Sequence, residues 1–157
     1  MAFTKLTPNL AVEDVDAAVA WYTSVLDFHV EALVPDGEVH EFAILHNGAV
    51  ELMLQTRRSI EEGLPTVAAM PVASTIVCFV ECDDVREIWD RVESRGDVTV
   101  VSGLHDTDYG MTEFYIADPS GYVIGLASPT GAAAERSDET EAEAPLGVAG
   151  RNDEMSS

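Results

Sequence analysis

Residues able to contact a small molecule recur at every second position on several predicted β-strands of this sequence. The set is Thr7, Asn9, Glu51, Met53, Gln55, Glu113, Tyr115 and Gly125. Residues two apart in a strand share a face, so these groups are predicted to lie on faces turned away from the core. Carboxylate, amide and phenol groups set among apolar residues are typical of a ligand-binding cleft. We therefore predict that this set lines such a cleft.

An internal sequence repeat allows two of these residues, Glu51 and Gly125, to be compared. The segments 10–17 and 80–87 both run from an apolar strand through acidic residues into an amphipathic helix. Each is followed by β-rich sequence that ends in a strand after a glycine turn. The first of these final strands carries Glu51, whereas the second is expected to have Gly125 at the matching position. A glycine there leaves room for a ligand and supplies no metal-binding side chain.

The repeat predicts an α+β fold of two tandem βαβββ modules with mixed sheets around a cleft. In the first module, strands are predicted at 3–12, 28–34, 39–46 and 49–55, with a helix from a cap at Asp14 to Leu26. In the second, strands are predicted at 75–81, 98–101, 111–117 and 122–127, with a helix capped by Asp83 or Asp84 and closed at Gly96. The predicted divisions are a first module (1–56), a connector (57–72), a second module (73–128) and a disordered acidic tail (129–157).

The chain is strongly acidic, with 29 Asp and Glu residues against 8 Lys and Arg residues and a formal net charge of −21. This charge repels phosphates and excludes nucleic-acid binding by a basic face. Three explanations of this charge are open. It attracts a cationic ligand, it is concentrated in the tail, or it adapts the protein to concentrated salt, which screens self-repulsion. Because the acids are spread along the chain, we expect a halophilic protein.

The sequence gives no indication of a membrane partner. No apolar run approaches the roughly 18 residues of a membrane span, and the first residues lack the pattern of a signal peptide. We therefore expect a cytoplasmic protein. Cys78 and Cys82 are expected to be buried free thiols, because their spacing on a strand is too wide for a disulfide.

The histidines allow two further interpretations. His40 and His46 share a predicted strand face and can join Glu51 in a non-standard metal site, although scattered histidines more often lie at surfaces or edges. A predicted loop that holds His105, Asp106, Asp108 and Tyr109 can supply an acid/base pair at the mouth of the cleft. The alternative for that loop, a solvated segment of an acidic protein, is favoured.

The repeat resembles the vicinal oxygen chelate superfamily, also called the glyoxalase/bleomycin resistance/dioxygenase family. The similarity rests on residues 8–22, on Glu51-Leu-Met-Leu-Gln55, and on residues 109–121 with their Asp-Pro-Ser-Gly turn. The resemblance implies up to four metal ligands, from the first and last strands of each module. The matching positions are Thr7, Val77, Glu51 and Gly125, of which only Glu51 is a usual ligand. It therefore indicates the metal-independent, bleomycin-resistance-like branch.

We accordingly expect a homodimer that binds a small organic molecule in a metal-free cleft, with no cofactor. The alternative is a lyase, isomerase or dioxygenase of the same superfamily with a remodelled divalent metal site. A third possibility, a structural or protein-interaction module, is supported only by the acidic tail. Arg57 and Arg58 can clamp an anionic ligand at the cleft edge or pair with acids across a dimer interface.

Overall fold

The computed structural model describes residues 1–2, 4–72 and 76–131. The strands are β1 (Asn9–Val12), β2 (His29–Val34), β3 (Phe42–Asn47), β4 (Val50–Thr56), β5 (Val77–Glu81), β6 (Thr99–Asp106), β7 (Met111–Ala117) and β8 (Val123–Pro129). The α-helices are α1 (Val15–Leu26), α2 (Arg57–Gly63) and α3 (Val85–Arg95), and a short 3-10 helix spans Pro65–Val67. None of the described helices is long and apolar enough to cross a membrane.

These elements form two four-stranded mixed sheets, one in each repeat. Sheet A has the strand order β1-β4-β3-β2, and sheet B has the matching order β5-β8-β7-β6. In each sheet the first strand runs parallel to the last, and the remaining pairs are antiparallel. The predicted fold of two tandem βαβββ modules is confirmed.

The two module helices begin in the same way. Asp14 accepts a hydrogen bond from the backbone N–H of Ala17 at 2.9 Å, and Asp84 accepts from those of Arg86 and Glu87. Each carboxylate satisfies N–H groups that the first turn leaves without partners, and it complements the helix dipole. Of the two candidates for the second cap, the structure selects Asp84. Gly96 ends α3 in the left-handed conformation, with φ of 70°.

One hydrophobic core spans both modules. Alternate strand residues such as Leu45, Leu54, Phe114 and Ile116 are buried with the apolar stripes of the helices. Tyr22 of α1 is also buried, and its O–H donates to Asp118 Oδ2, in the turn before β8, at 2.7 Å. This bond joins the first helix to the second module across the core.

Several predicted boundaries are corrected by the structure. Strand β1 begins at Asn9 instead of residue 3, because Pro8 has no N–H to donate, although its carbonyl accepts from Met53 N. Strand β6 extends to Asp106, five residues beyond its predicted end, through two register irregularities. The predicted connector begins with a seven-residue helix, α2.

The remaining predictions concern the ends of the second module and the tail. Strand β8 continues to Pro129, and Thr130 N donates to Gly110 O at 3.0 Å. Residues 73–75, at the predicted start of the second module, and residues 132–157, most of the predicted tail, lie outside the described residues. The divisions at 56, 72 and 128 stay predictions.

Candidate functional site

Each sheet buries one face beneath its module helix, α1 or α3, and within the described residues neither of these two helices covers the other face. We call this second surface the open face. On β4 the open face carries Glu51, Met53 and Gln55, because Leu52 and Leu54 between them are buried. The same alternation on β5 leaves Val77, Phe79 and Glu81 exposed. The predicted site residues therefore lie on the open faces of the two sheets.

The open face of sheet A joins its polar residues in pairs across neighbouring strands. Thr7 Oγ1 donates to Glu51 Oε1 at 2.9 Å, and Asn9 Nδ2 donates to Gln55 Oε1 at 2.8 Å. Met53 lies opposite Asn9 in the parallel ladder. The structure thus brings together five predicted site residues, all from the first module.

Glu51 has a further partner that the sequence did not indicate. Lys5 Nζ lies 2.7 Å from the same oxygen, Glu51 Oε1. The Lys5 ammonium and the Thr7 hydroxyl together lower the pKa of Glu51, because both interactions favour the carboxylate over the neutral acid. Glu51 is therefore an ionised carboxylate whose charge is balanced by the Lys5 ammonium of the same chain.

The open face of sheet B contains a buried carboxylate, Glu113, whose exposed fraction is 4%. Tyr109 donates its O–H to Glu113 Oε2 at 2.6 Å, and Tyr115 donates to Oε1 at 3.4 Å. His105 Nε2 lies 3.5 Å from Oε1. Burying a carboxylate is costly unless donors surround it, and the two tyrosines supply them.

The surroundings of both phenols favour their protonated form beyond that of an ordinary tyrosine. The Glu113 carboxylate raises the pKa of Tyr109 to about 12, first through the hydrogen bond that Tyr109 donates to it. The pKa of Tyr115 is also raised, chiefly by burial and then by the Glu113 charge. Both tyrosines are therefore hydrogen-bond donors, and the cluster presents a carboxylate bordered by aromatic rings.

A backbone contact orients the His105 ring toward this cluster. His105 Nδ1 lies 2.8 Å from the carbonyl oxygen of Gly103. Because a carbonyl only accepts, Nδ1 carries a hydrogen in this contact, and Nε2 faces Glu113. The prediction that His105 and Asp106 lie in a loop is wrong, since both belong to β6. Asp106 faces Arg86 and accepts from Thr112.

Gly125 does not leave open space for a ligand. A Cβ atom at this position would lie 2.5 Å from Cε1 of Tyr115 and 3.2 Å from Cδ2 of Phe79. The missing side chain allows the Tyr115 ring to lie against the sheet backbone. Gly125 therefore shapes the site through Tyr115, and the expectation of an empty space above it is wrong.

The strand registers also correct the comparison of Glu51 with Gly125. Asn9, five residues before the cap Asp14, pairs with Met53, whereas Phe79, five residues before the cap Asp84, pairs with Gly125. The counterpart of Gly125 is thus Met53. The position that matches Glu51 is Val123, opposite Val77.

The residues present do not fit the divalent metal site that the fold implies. At the four corresponding positions stand Thr7, Glu51, Val77 and Val123, of which only Glu51 is a usual metal ligand. Its Oε1 already contacts the Lys5 ammonium. Within residues 1–2, 4–72 and 76–131, no three His, Cys, Asp or Glu side chains are grouped so that they could hold an ion.

Other candidates from the sequence have structural partners. Arg57 pairs with Glu61 and donates to the carbonyls of Ala68 and Met70, which fixes the connector. Arg58 pairs with Glu41. Neither arginine reaches the polar clusters of the open faces through any of these contacts.

His40 and the two cysteines also lie away from the clusters. His40 contacts Asp16 of α1 at 2.5 Å and shares no hydrogen bond with Glu51 among the contacts that the described residues make. The cysteines Cys78 and Cys82 are free but half-buried, and burial raises the pKa of both thiols.

A cavity of about 340 Å³ lies apart from both open faces. Its walls include Asp14 and Ala17 at the start of α1, Val72 of the connector and Pro119 of the turn before β8. It contains none of the predicted site residues.

Comparison with known proteins agrees with this architecture. The family model described as Glyoxalase/Bleomycin resistance protein/Dioxygenase superfamily matches residues 5–126. The chain belongs to this superfamily. A biphenyl-2,3-diol 1,2-dioxygenase of Paraburkholderia xenovorans (strain LB400) is 30% identical over 122 residues, which cover 72% of this chain and 37% of the dioxygenase. The chain thus spans little more than a third of the length of this curated relative.

Two solved structures show the same fold. TioX from Micromonospora sp. ML1 superposes with a TM-score of 0.66 and 22% identity, over 81% of this chain and 99% of TioX. A glyoxalase/bleomycin resistance protein/dioxygenase from Nocardioides gives a TM-score of 0.65 and 24% identity, over 82% of this chain and 85% of that protein. At these identities the likeness supports the fold alone.

Proposed function

We propose that this protein binds a small organic cation on the open face of sheet B, without a resident metal ion, as a bleomycin-resistance-like member of its superfamily. The observation that carries the proposal is Glu113, a buried carboxylate on the face of sheet B that α3 does not cover. Its position is costly for folding alone, because an apolar residue would fill the same space without desolvating a charge. A binding role explains why it stands there.

The surroundings of Glu113 favour a cation that is also flat and aromatic. Phe79 is 48% exposed and Tyr109 is 63% exposed, so both rings can receive a ligand. Aromatic faces attract cations, and a nearby carboxylate adds charge and a hydrogen-bond acceptor. Glu81 is exposed on the same face, two residues after Phe79. This arrangement supports an organic ammonium or ring-nitrogen cation over an anionic ligand.

A pair of matched probes tests this proposal. Ethidium is a planar aromatic cation, and phenanthridine has the same ring system but is neutral at pH 7. Fluorescence and calorimetric titrations of the full chain should show ethidium binding at least about tenfold more tightly, a difference expected from one cation–aromatic and carboxylate site. The affinity should not change after dialysis against a chelator. Equal affinity for both probes, or loss of binding on chelation, would contradict the proposal.

A second candidate function is a metal-dependent lyase, isomerase or dioxygenase with a remodelled site at Glu51. The observation that favours it is the 30% identity to a biphenyl-2,3-diol 1,2-dioxygenase. Elemental analysis of protein purified without chelator separates the two functions. Near-stoichiometric metal that is lost in Glu51→Ala supports the enzyme, whereas traces that do not change in this variant support the metal-free binder.

We also propose that the protein acts as a homodimer. Val77 and Val101 expose apolar side chains on sheet B. A second copy placed over these residues would remove them from water and would turn an open face into the wall of a cleft. Light scattering of the wild type and of Val101→Ser tests this, with a dimer expected for the first and a shift towards monomer for the second. A monomeric wild type would contradict it.

The acidity supports a cytoplasmic protein that works in concentrated salt. With a net charge of −21, self-repulsion opposes folding in dilute buffer and is screened within about 3 Å in 1 M salt. The melting temperature should therefore rise between dilute buffer and molar KCl. A melting temperature that does not change would contradict the adaptation to salt.

A further inference from the structure

The Glu113 carboxylate lies on the open face of sheet B, yet only 4% of this residue is exposed. Three side chains of the same module cover it. Tyr109 Oη donates to Oε2 at 2.6 Å, Tyr115 Oη donates to Oε1 at 3.4 Å, and His105 Nε2 lies 3.5 Å from Oε1. One of these side chains has to move before an organic cation can reach the carboxylate.

Tyr115 and His105 are each held in place by the backbone of sheet B. The Tyr115 ring lies against the sheet at Gly125, so closely that a Cβ atom there would be 2.5 Å from its Cε1. His105 Nδ1 lies 2.8 Å from the carbonyl oxygen of Gly103. Moving either side chain away therefore loses close packing or a contact with the backbone.

Tyr109 is held differently, because it lies in the turn between β6 and β7 and is 63% exposed. The backbone of this turn is fixed, since Thr107 N donates to Met111 O at 2.8 Å and Thr130 N donates to Gly110 O at 3.0 Å. The exposed ring, however, can rotate between side-chain rotamers with little loss of packing. Tyr109 is therefore the side chain that can leave the carboxylate at the lowest cost.

We propose that Tyr109 is a gate whose hydroxyl closes Oε2 of Glu113 in the unliganded protein and is displaced by an N–H group of the bound organic cation. This inference rests on the proposed ligand site and adds how that site opens. The hydroxyl and the ligand compete for the same oxygen, so a ligand has to break a hydrogen bond to a charged group before it binds. Tyr109 thus weakens binding through its hydroxyl, while its ring attracts a cation.

The variant Tyr109→Phe separates the effect of the hydroxyl from that of the ring. It keeps the aromatic face and removes the competing donor, so it should bind ethidium about tenfold more tightly than the wild type. Stopped-flow fluorescence should show this gain in the association rate, because no hydrogen bond has to break before ethidium reaches Glu113. Most substitutions at a binding site act on the dissociation rate instead.

Tyr122→Phe is the matched control, because it removes a phenol hydroxyl that donates to the carbonyl of Ala11, away from the site. It should bind ethidium as the wild type does, and circular dichroism confirms that each variant is folded. A double variant locates the effect at Glu113. In the presence of Glu113→Gln, adding Tyr109→Phe should change the affinity by no more than about twofold, because the hydroxyl no longer competes for a charge.

The gate is overturned if Tyr109→Phe binds ethidium no more tightly than the wild type. It is also overturned if the gain lies in the dissociation rate or persists together with Glu113→Gln. In these cases a wild type that prefers ethidium to phenanthridine still supports the proposed function. Equal binding of the two probes, both by the wild type and by Tyr109→Phe, would contradict the proposed function and the gate together.

Discussion

The open faces of sheets A and B contain the same kind of group, a carboxylate, in two different environments. On sheet A, Glu51 is partly exposed and paired with Lys5 and Thr7. On sheet B, Glu113 is buried and accepts from Tyr109 and Tyr115. The covered faces, by contrast, keep the same capped helix and apolar core. The repeat has therefore retained what attaches a helix to a sheet, while the open faces have diverged in chemistry.

The largest effect on stability should come from the buried hydrogen bond that the first module donates to the second. Tyr22 donates from α1 to Asp118, whereas the corresponding residue of α3, seven positions after its first residue, is Val92. Tyr22→Phe leaves the buried Asp118 Oδ2 without this donor and should lower the free energy of unfolding by about 2 kcal/mol. Chemical denaturation measures the change.

Tyr122→Phe is the control for this prediction. It removes a hydrogen bond to the neutral carbonyl of Ala11, at 3.0 Å, and should cost about 1 kcal/mol. If both variants lower the unfolding free energy equally, the hydrogen bond to Asp118 stabilises the fold no more than the bond to the Ala11 carbonyl does.

The next effect separates the two matched strand positions, Gly125 and Met53. Gly125→Ala adds a methyl group that would lie only 2.5 Å from Tyr115 Cε1, so the ring must move outward. We expect a loss of about 1 to 2 kcal/mol in unfolding free energy, as for other overpacking substitutions. Met53→Ala trims a half-buried side chain on the open face and should cost less. A larger loss of stability in Met53→Ala than in Gly125→Ala would contradict this prediction.

A third prediction concerns the charge of Glu113. In Glu113→Gln the neighbouring phenolate is no longer opposed by a carboxylate, so the pKa of Tyr109 should fall from about 12 towards its ordinary value of 10.0. Ultraviolet titration of the tyrosines measures the shift, which should reach at least about one unit for this exposed ring. Glu81→Gln, on the same face, should not change it. An unaltered titration in Glu113→Gln would show that the two groups do not interact in solution.

The smallest difference is expected where the modules are alike. Asp14→Ala and Asp84→Ala each remove an N-cap and should each lower the unfolding free energy by about 1 kcal/mol, equally within error. Thermal and chemical denaturation of the pair measure this. A loss confined to one of the two caps would show that the covered faces have diverged as well.

Local signals were sufficient to predict the fold. The acidic caps, the helical spacing of apolar residues and the alternation in the strands lie within a few residues of each other in sequence, and they predicted both modules. Alternation along the strands also predicted that Thr7 and Asn9 share a face with Glu51, Met53 and Gln55, although it did not predict the hydrogen bonds between them.

The predictions that were wrong concern features that depend on contacts between residues distant in sequence. The comparison of the two final strands matched Gly125 with Glu51, whereas the ladder matches it with Met53. The length of β6 was missed because its two register irregularities interrupt the alternation. No pattern in the sequence places Lys5 beside Glu51, or Tyr22 beside Asp118, since these pairs depend on how the folded elements meet.

The most direct measurement of the central claim is the affinity of ethidium for Glu113→Gln and for Glu51→Gln, a matched pair of substitutions on the two open faces. If sheet B holds the ligand site, Glu113→Gln should weaken binding by at least about tenfold, while Glu51→Gln stays within about twofold of the wild type. A loss in Glu51→Gln with normal binding by Glu113→Gln would contradict the assignment of the ligand site to the second module.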